Sequence, residues 1–173
     1  IFLNDCLQSV ADQTIKPEEI IICIDREISK EIDEVINRFL SIINIKKVFY
    51  SGDGELGGSL ALGVISCKNE LVFRIDADDI CVSDRFEKMK KVFLERDLDV
   101  LGCWAEEFIE NLHDLKKIRK TPIKFINNTG HYRNPFNHPT VLYKKNSIIA
   151  AGNYKVCKGF EDWYLWLRMK KLK

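Results

Sequence analysis

Two short apolar runs that lead directly into aspartate are the feature of this sequence that most constrains its fold. Residues 19–25 read Glu-Ile-Ile-Ile-Cys-Ile-Asp, and residues 70–75 are followed at once by Asp76. Short apolar runs with β-branched residues are typical of strands that are covered on both faces, as in a parallel sheet. The sequence therefore predicts two buried strands, each with an acidic group at its carboxyl end.

Amphipathic helical patterns separate these strands. Apolar residues recur at i, i+3, i+4 and i+7 from Leu3 to Val10, and a similar period returns over residues 28–43. We expect an α/β fold with a mainly parallel central sheet flanked by helices, in a single domain over residues 1–173. The remaining predicted elements are helices at 59–67, after 83 and from 161 onward, strands at 46–50, 99–110 and 138–145, and a lysine-rich mobile surface segment at 111–137.

Composition excludes several classes of protein. Lys and Arg total 27 and Asp and Glu total 26, so the formal charge is +1 and no nucleic-acid partner is expected. The longest stretch without a charged residue, 56–67, is shorter than the roughly 18 apolar residues of a membrane-spanning helix. The six cysteines contain no C-x-x-C pair, and we interpret them as reduced core residues of a cytosolic protein.

Three or four carboxylates are expected to gather at one edge of the sheet. Asp25 closes the first predicted strand, and Asp76, Asp78 and Asp79 follow the second. The carboxyl ends of neighbouring parallel strands meet at one edge, where ligands bind in open α/β sheets. Carboxylates that lie close together repel one another unless a cation binds between them, and oxygen ligands without cysteine favour Mg²⁺ or Mn²⁺. The alternative is a solvated loop whose acids cap the next helix.

Two motifs in a fixed order give the chain a family resemblance. Asp76-Ala77-Asp78-Asp79 directly after a strand, together with Gly159-Phe160-Glu161-Asp162 at the start of a late helix, resembles the family 2 glycosyltransferases of the GT-A fold. The likeness covers nearly the whole chain and includes residues 57–63, His138-Pro139-Thr140 and Gly152-Asn153-Tyr154. The family begins with a strand that this sequence lacks, and the last helix has no evident end, so we interpret the sequence as incomplete at both ends.

The resemblance implies inverting transfer of a sugar from a nucleotide diphosphate donor, usually UDP-linked, to a hydroxyl group of a saccharide or lipid-linked saccharide. It implies that Asp78 and Asp76 hold Mn²⁺ or Mg²⁺ against the diphosphate, with Asp76 also a candidate for the ribose. By the same likeness, Asp25 hydrogen-bonds the uracil base. Asp162 is then the general base for the acceptor hydroxyl, and Glu161 positions the acceptor or the base.

Several of these residues also have a simpler interpretation. His138 and Asp79 are candidates for a place near the metal or the acceptor, but a histidine before proline is often a hydrogen-bonded structural residue. Asp25 is also a plausible turn residue, and Glu161 and Asp162 are also acids of the kind that a helix N-terminus favours. Lysines 116, 117, 120 and 124 fit either an anionic lipid surface or diphosphate, or a solvated face.

The function predicted by the resemblance is a metal-dependent glycosyltransferase of bacterial surface polysaccharide biosynthesis, cytoplasmic or peripheral at the inner face of the membrane. One alternative is a sugar-nucleotide nucleotidyltransferase, which needs a glycine-rich basic loop upstream of Ile1. Another is a catalytically degenerate module that binds a nucleotide or a sugar without turnover.

Overall fold

Helices and strands alternate along the chain in the computed structural model, which describes residues 2–52, 56–108, 115–121 and 133–172. The helices are α1 (Phe2–Ala11), α2 (Lys30–Phe39), α3 (Leu56–Ser66), α4 (Arg85–Glu95), α5 (Lys145–Ala150) and α6 (Glu161–Lys171), with a 3₁₀ turn at His138–Thr140. The strands are β1 (Ile20–Ile24), β2 (Ile45–Phe49), β3 (Leu71–Phe73), β4 (Val100–Leu101), β5 (Ala105–Phe108), β6 (Leu115–Arg119) and β7 (Leu142–Lys144).

Fewer strands pair in parallel than the sequence predicts. β1 and β2 form a parallel ladder in which Ile20 lies opposite Ile45. β7 lies between β3 and β4 and is antiparallel to both, so β3 and β4 run in the same direction. The difference arises because the chain re-enters the sheet after the His138–Thr140 turn in the opposite direction. Among the described residues, β1–β2 is thus the one parallel ladder.

Helices cover both faces of the sheet around β7, as predicted. Leu142 packs with Met89 and Phe93 of α4 on one face. The next residue, Tyr143, packs with Ile148 of α5 and several residues of α6 on the other face. This division follows from the two-residue period of a strand. A separate cluster, which includes Leu7, Ala11 and Phe39, joins α1 and α2 to β1 and β2.

Two predicted strands are shorter than their patterns indicated. The predicted strand 99–110 is divided into β4 and β5, because the backbone N–H and C=O of Cys103 bond the side-chain hydroxyl of Thr140 instead of a neighbouring strand. The first half of the predicted strand 138–145 is a 3₁₀ turn that contains Pro139, which has no N–H for a ladder.

The lysine-rich segment contains a strand that its pattern did not reveal. β6 pairs antiparallel with β5, and Lys117 and Lys120 are exposed along and after it. The Lys120 Nζ lies 5.1 Å from the centroid of the Trp104 ring. Lys124 and the side chain of Lys116 lie outside the described residues, as do 109–114 and 122–132.

The six cysteine thiols are all free, with Cys6 and Cys81 buried and the other four half-buried. Within the described ranges, no helix is both long enough and apolar enough to cross a membrane.

Replacement of Gly57 by Ala is expected to destabilise the chain by about 1–3 kcal/mol, because a new Cβ would overlap the Lys155 backbone carbonyl. Gly58→Ala is the matched control in the same helical turn. Its Cβ would meet only the ring end of Tyr50, which can swing away, and Ala favours helix by about 1 kcal/mol over Gly. Urea unfolding of both variants checks the contrast, and equal losses of stability would contradict it.

Candidate active site

An acidic turn follows β3 at its carboxyl end. Arg74 and Ile75 leave the strand, and residues 76–79 form a turn in which the Asp79 N–H donates to the Asp76 carbonyl over 3.2 Å. Asp78 is exposed, whereas Asp76 and Asp79 are partly buried. The structure thus brings three of the four predicted aspartates into one turn.

Helix α1 fixes this turn from one side. The Cys6 thiol donates to the Asp76 carbonyl at 3.3 Å. Gln13, which is 1% exposed, donates to the Val82 carbonyl at 2.8 Å and accepts from the Phe86 N–H at 3.0 Å. Because a buried amide must satisfy its hydrogen bonds, Gln13 ties α1 to the segment that leads from the acidic turn into α4.

The carboxylates of the acidic turn repel one another. Burial raises the pKa of Asp79, and the neighbouring charges of Asp76 and Asp78 raise it further, against the opposing effect of Arg74 and Arg85. A divalent cation would relieve this repulsion. Among the described residues, no group of three or more His, Cys, Asp or Glu side chains is arranged to hold a metal ion. Mg²⁺ is commonly held by one or two carboxylates, with waters and substrate phosphates as its other ligands, so the residues of this turn fit such an ion.

A second acidic group begins α6. Glu161 and Asp162 are both buried, and the helix has no side-chain hydrogen bond from its N-cap residue. The Asn134 amide donates to Asp162 Oδ2 at 2.6 Å, and the Trp163 N–H donates to Asp162 Oδ1 at 2.7 Å. Both carboxylate oxygens therefore have a donor, which holds Asp162 in one orientation and offsets the cost of its burial.

His138 and Tyr154 form a pair that packs against Trp166 of α6. His138 Nε2 is 3.0 Å from the Tyr154 hydroxyl oxygen, and both rings contact Trp166 edge-on. Burial lowers the pKa of His138 to about 2, helped by the charge of Arg74, so the imidazole is neutral at physiological pH. Burial also raises the pKa of Tyr154, with smaller contributions that include the carboxylates of Asp162 and Glu161.

Asp25, the fourth predicted aspartate, follows a different strand from the other three. It follows β1, has a half-buried side chain and pairs with Arg26 at 3.3 Å. The carboxylates that raise the pKa of Asp79 are those of its own turn. In the described part of the chain β1 pairs with β2 and β3 pairs with β7, so the meeting of Asp25 with the acidic turn stays a prediction.

Sequence reasoning missed two polar partners in this region. Arg74 pairs with Asp76 and is buried, although it looked like one residue of an apolar run. The available signal was a charged residue inside a buried strand, which needs an explanation. Asn134 was interpreted only as part of a loop, and no local pattern links it to Asp162, which is 28 positions away.

The family model and the similar curated proteins are all described as glycosyltransferases. The family model described as "Glycosyl transferase family 2" matches residues 2–153. An Escherichia coli UDP-Gal:alpha-D-GlcNAc-diphosphoundecaprenol beta-1,3-galactosyltransferase is 36% identical over 97% of this chain and 62% of its own length. The amylovoran biosynthesis glycosyltransferase AmsE of Erwinia amylovora is 33% identical over 98% of this chain and 64% of its own length. The chain thus spans just over three fifths of each of these relatives.

Solved structures of another protein, S. aureus TarS, share the fold of this chain. The crystal structure of S. aureus TarS 1–349 in complex with UDP-GlcNAc aligns with a TM-score of 0.74 at 16% identity, over 97% of this chain and 49% of TarS. Another crystal structure of S. aureus TarS 1–349 aligns with a TM-score of 0.73 at 15% identity, over 97% of this chain and 51% of TarS. The likeness confirms the predicted α/β, Rossmann-like GT-A fold.

Proposed function

Because the chain belongs to glycosyltransferase family 2, we propose that the full-length protein transfers a sugar from a UDP-linked donor to a hydroxyl group of a lipid-linked saccharide, with inversion at the anomeric carbon. The observation that carries this proposal is the presence of an acidic turn after β3 together with a buried Asp162 whose two carboxylate oxygens each accept a hydrogen bond. The donor and acceptor follow the names of the E. coli relative and of the TarS complex.

The acidic turn would act on the donor diphosphate, and the acids of α6 would act on the acceptor hydroxyl. Asp78 and Asp76 would hold Mn²⁺ or Mg²⁺, which when bound neutralises the charge of the leaving diphosphate as a Lewis acid. Asp162 would accept the proton of the attacking hydroxyl as general base, with its carboxylate fixed by Asn134 and by the Trp163 N–H. Neutral His138 can orient groups by hydrogen bonding but does not compete for that proton.

The remaining assignments are proposals of the same kind. Glu161, buried beside Asp162, would position the acceptor or the base, and Asp79 would border the metal. Asp25 keeps its proposed role at the uracil base, which its position after β1 neither tests nor opposes. A lipid-linked acceptor, such as the one in the name of the E. coli relative, would place the reaction at the inner face of the membrane.

UDP is expected to stabilise the full-length protein far more with Mn²⁺ or Mg²⁺ than with a chelator. At UDP about 100-fold above its Kd, the stabilisation is about 2.7 kcal/mol, or a rise in Tm of roughly 5–10 °C. Asp78→Asn should remove the difference between cation and chelator. A thermal-shift titration over both conditions checks the result.

The matched control for this measurement is Asp97→Asn. Asp97 is an exposed aspartate outside the turn, and its φ of 45° suits Asn well. This variant should respond to UDP and cation as wild type does. Equal stabilisation of wild type with and without chelator would remove the metal from the proposal, and no response to UDP in either condition would remove the donor.

A further inference from the structure

Arg74 is a buried cation with few partners. Its side chain is 8% exposed, and one guanidinium nitrogen, Nη2, pairs with Asp76 Oδ1. Nε and Nη1 are buried and have no hydrogen-bond partner in the described part of the chain. Within the described residues its one ion-pair partner is a 41% exposed carboxylate, which compensates a buried charge poorly, and an apolar residue in such a place is often at least as stable.

Arg85 shows what a structural arginine looks like in the same region. It is also buried, but it donates to the carbonyls of Arg74 and Pro139 at 3.0 Å each and to the Cys81 sulfur at 3.1 Å. These bonds join α4 to β3 and to the His138–Thr140 turn. Within the described residues, the side chain of Arg74 makes no comparable bond to the backbone, so stability of the fold does not account for it.

The surroundings of Arg74 point to the site instead. Its guanidinium holds Asp76, which lies in the acidic turn. Its charge also helps to lower the pKa of His138, whose Nε2 lies 3.0 Å from the Tyr154 hydroxyl oxygen. Without Arg74, the repulsion from Asp78 and Asp79 would drive the half-exposed Asp76 carboxylate towards other rotamers.

We propose that Arg74 is a positioning residue that holds the Asp76 carboxylate in the orientation needed to bind the nucleotide diphosphate donor, an inference that rests on the proposed function. The planar guanidinium suits this role because its N–H donors point in fixed directions, whereas the ammonium of Lys rotates freely. Arg74 therefore acts on the donor through Asp76 and not by its own contact.

A double-mutant cycle on UDP affinity tests the proposal. Arg74→Met should weaken UDP binding in Mn²⁺ by about 10- to 100-fold, the range for a hydrogen bond to a charged group. If Arg74 acts through Asp76, the double variant Arg74→Met/Asp76→Asn should bind UDP no more weakly than Asp76→Asn alone. Donor KM should rise in Arg74→Met while kcat at saturating donor changes little.

Arg168→Met is the control for the loss of a partly buried arginine. In the described ranges its Nε also has no partner, but its other nitrogens donate to the carbonyls of Ala151 and Asn153, so its loss should lower Tm and leave UDP affinity unchanged. Isothermal titration of each folded variant gives the affinities. If Arg74→Met does not fold, Arg74→Lys decides: a wild-type Tm with weakened UDP binding supports the proposal.

Three outcomes overturn the positioning role. Wild-type UDP affinity in Arg74→Met, or in Arg74→Lys when it is the deciding variant, removes it. Losses that multiply in the double variant show that Arg74 and Asp76 act independently, which also removes it. A wild-type protein that binds no UDP with Mn²⁺ or Mg²⁺ overturns the proposed function as well, and this result is distinguishable because it needs no variant.

Discussion

Replacement of Asp162 by Asn is expected to lower the rate of sugar transfer by about 10²- to 10⁴-fold, which is the usual loss when a general base is removed. Donor binding should stay close to wild type, because Asp162 lies with the α6 acids and not in the acidic turn. The loss of stability should be about 1 kcal/mol, since Asn keeps the size of Asp and can still accept from the Trp163 N–H, while the Asn134 amide loses its acceptor. Initial rates and Tm of the full-length protein check both expectations.

Glu161→Gln is the neighbour control for this variant. Glu161 is as buried as Asp162 and lies in the same first turn of α6, so the two variants remove the same charge from nearly the same place. If the acids only complement the helix N-terminus, each variant should lose about 0.3–1 kcal/mol of stability with little change in rate. Turnover at the wild-type rate in Asp162→Asn would remove the base from the proposed mechanism.

The local sequence pattern was sufficient to predict the two strands that end in aspartate and the helix that contacts the acidic turn. β1 and β3 lie where short apolar runs end in aspartate, and α1 lies where the apolar stripe predicted it. These features depend on periodicity over a few residues, which a single sequence displays directly. The α/β class followed from their alternation, and the family comparison and the fold comparison both confirm it.

Pairing between distant segments could not be predicted in the same way. The insertion of β7 between β3 and β4 joins residues about 70 and 40 positions apart, and nothing in the pattern of β7 names its partners. The hydrogen bond from Asn134 to Asp162 likewise joins residues 28 positions apart. Local sequence pattern thus indicated the candidate acids of the site but did not indicate which residues contact their carboxylates.

Leu142→Ala is expected to cause the largest loss of stability among the changes considered, about 2–5 kcal/mol, or roughly 5–20 °C in Tm. Leu142 is 0% exposed and lies opposite Phe73 of β3 and Leu101 of β4. It also packs against Met89 and Phe93 of α4, so its truncation leaves a cavity where three strands and a helix meet. Denaturant and thermal unfolding measure the loss.

Leu94→Ala supplies the matched control, because Leu94 lies on α4 next to Phe93 but is 58% exposed. This variant should change stability by no more than about 0.5 kcal/mol, since surface substitutions rarely do more and Ala is a good helix former. Similar losses for the two leucines would show that the β3–β7–β4 sheet is not the principal core. Below its Tm, Leu142→Ala should retain most of its transfer rate, the reverse of Asp162→Asn, because the cavity lies beneath the sheet and not among the acids.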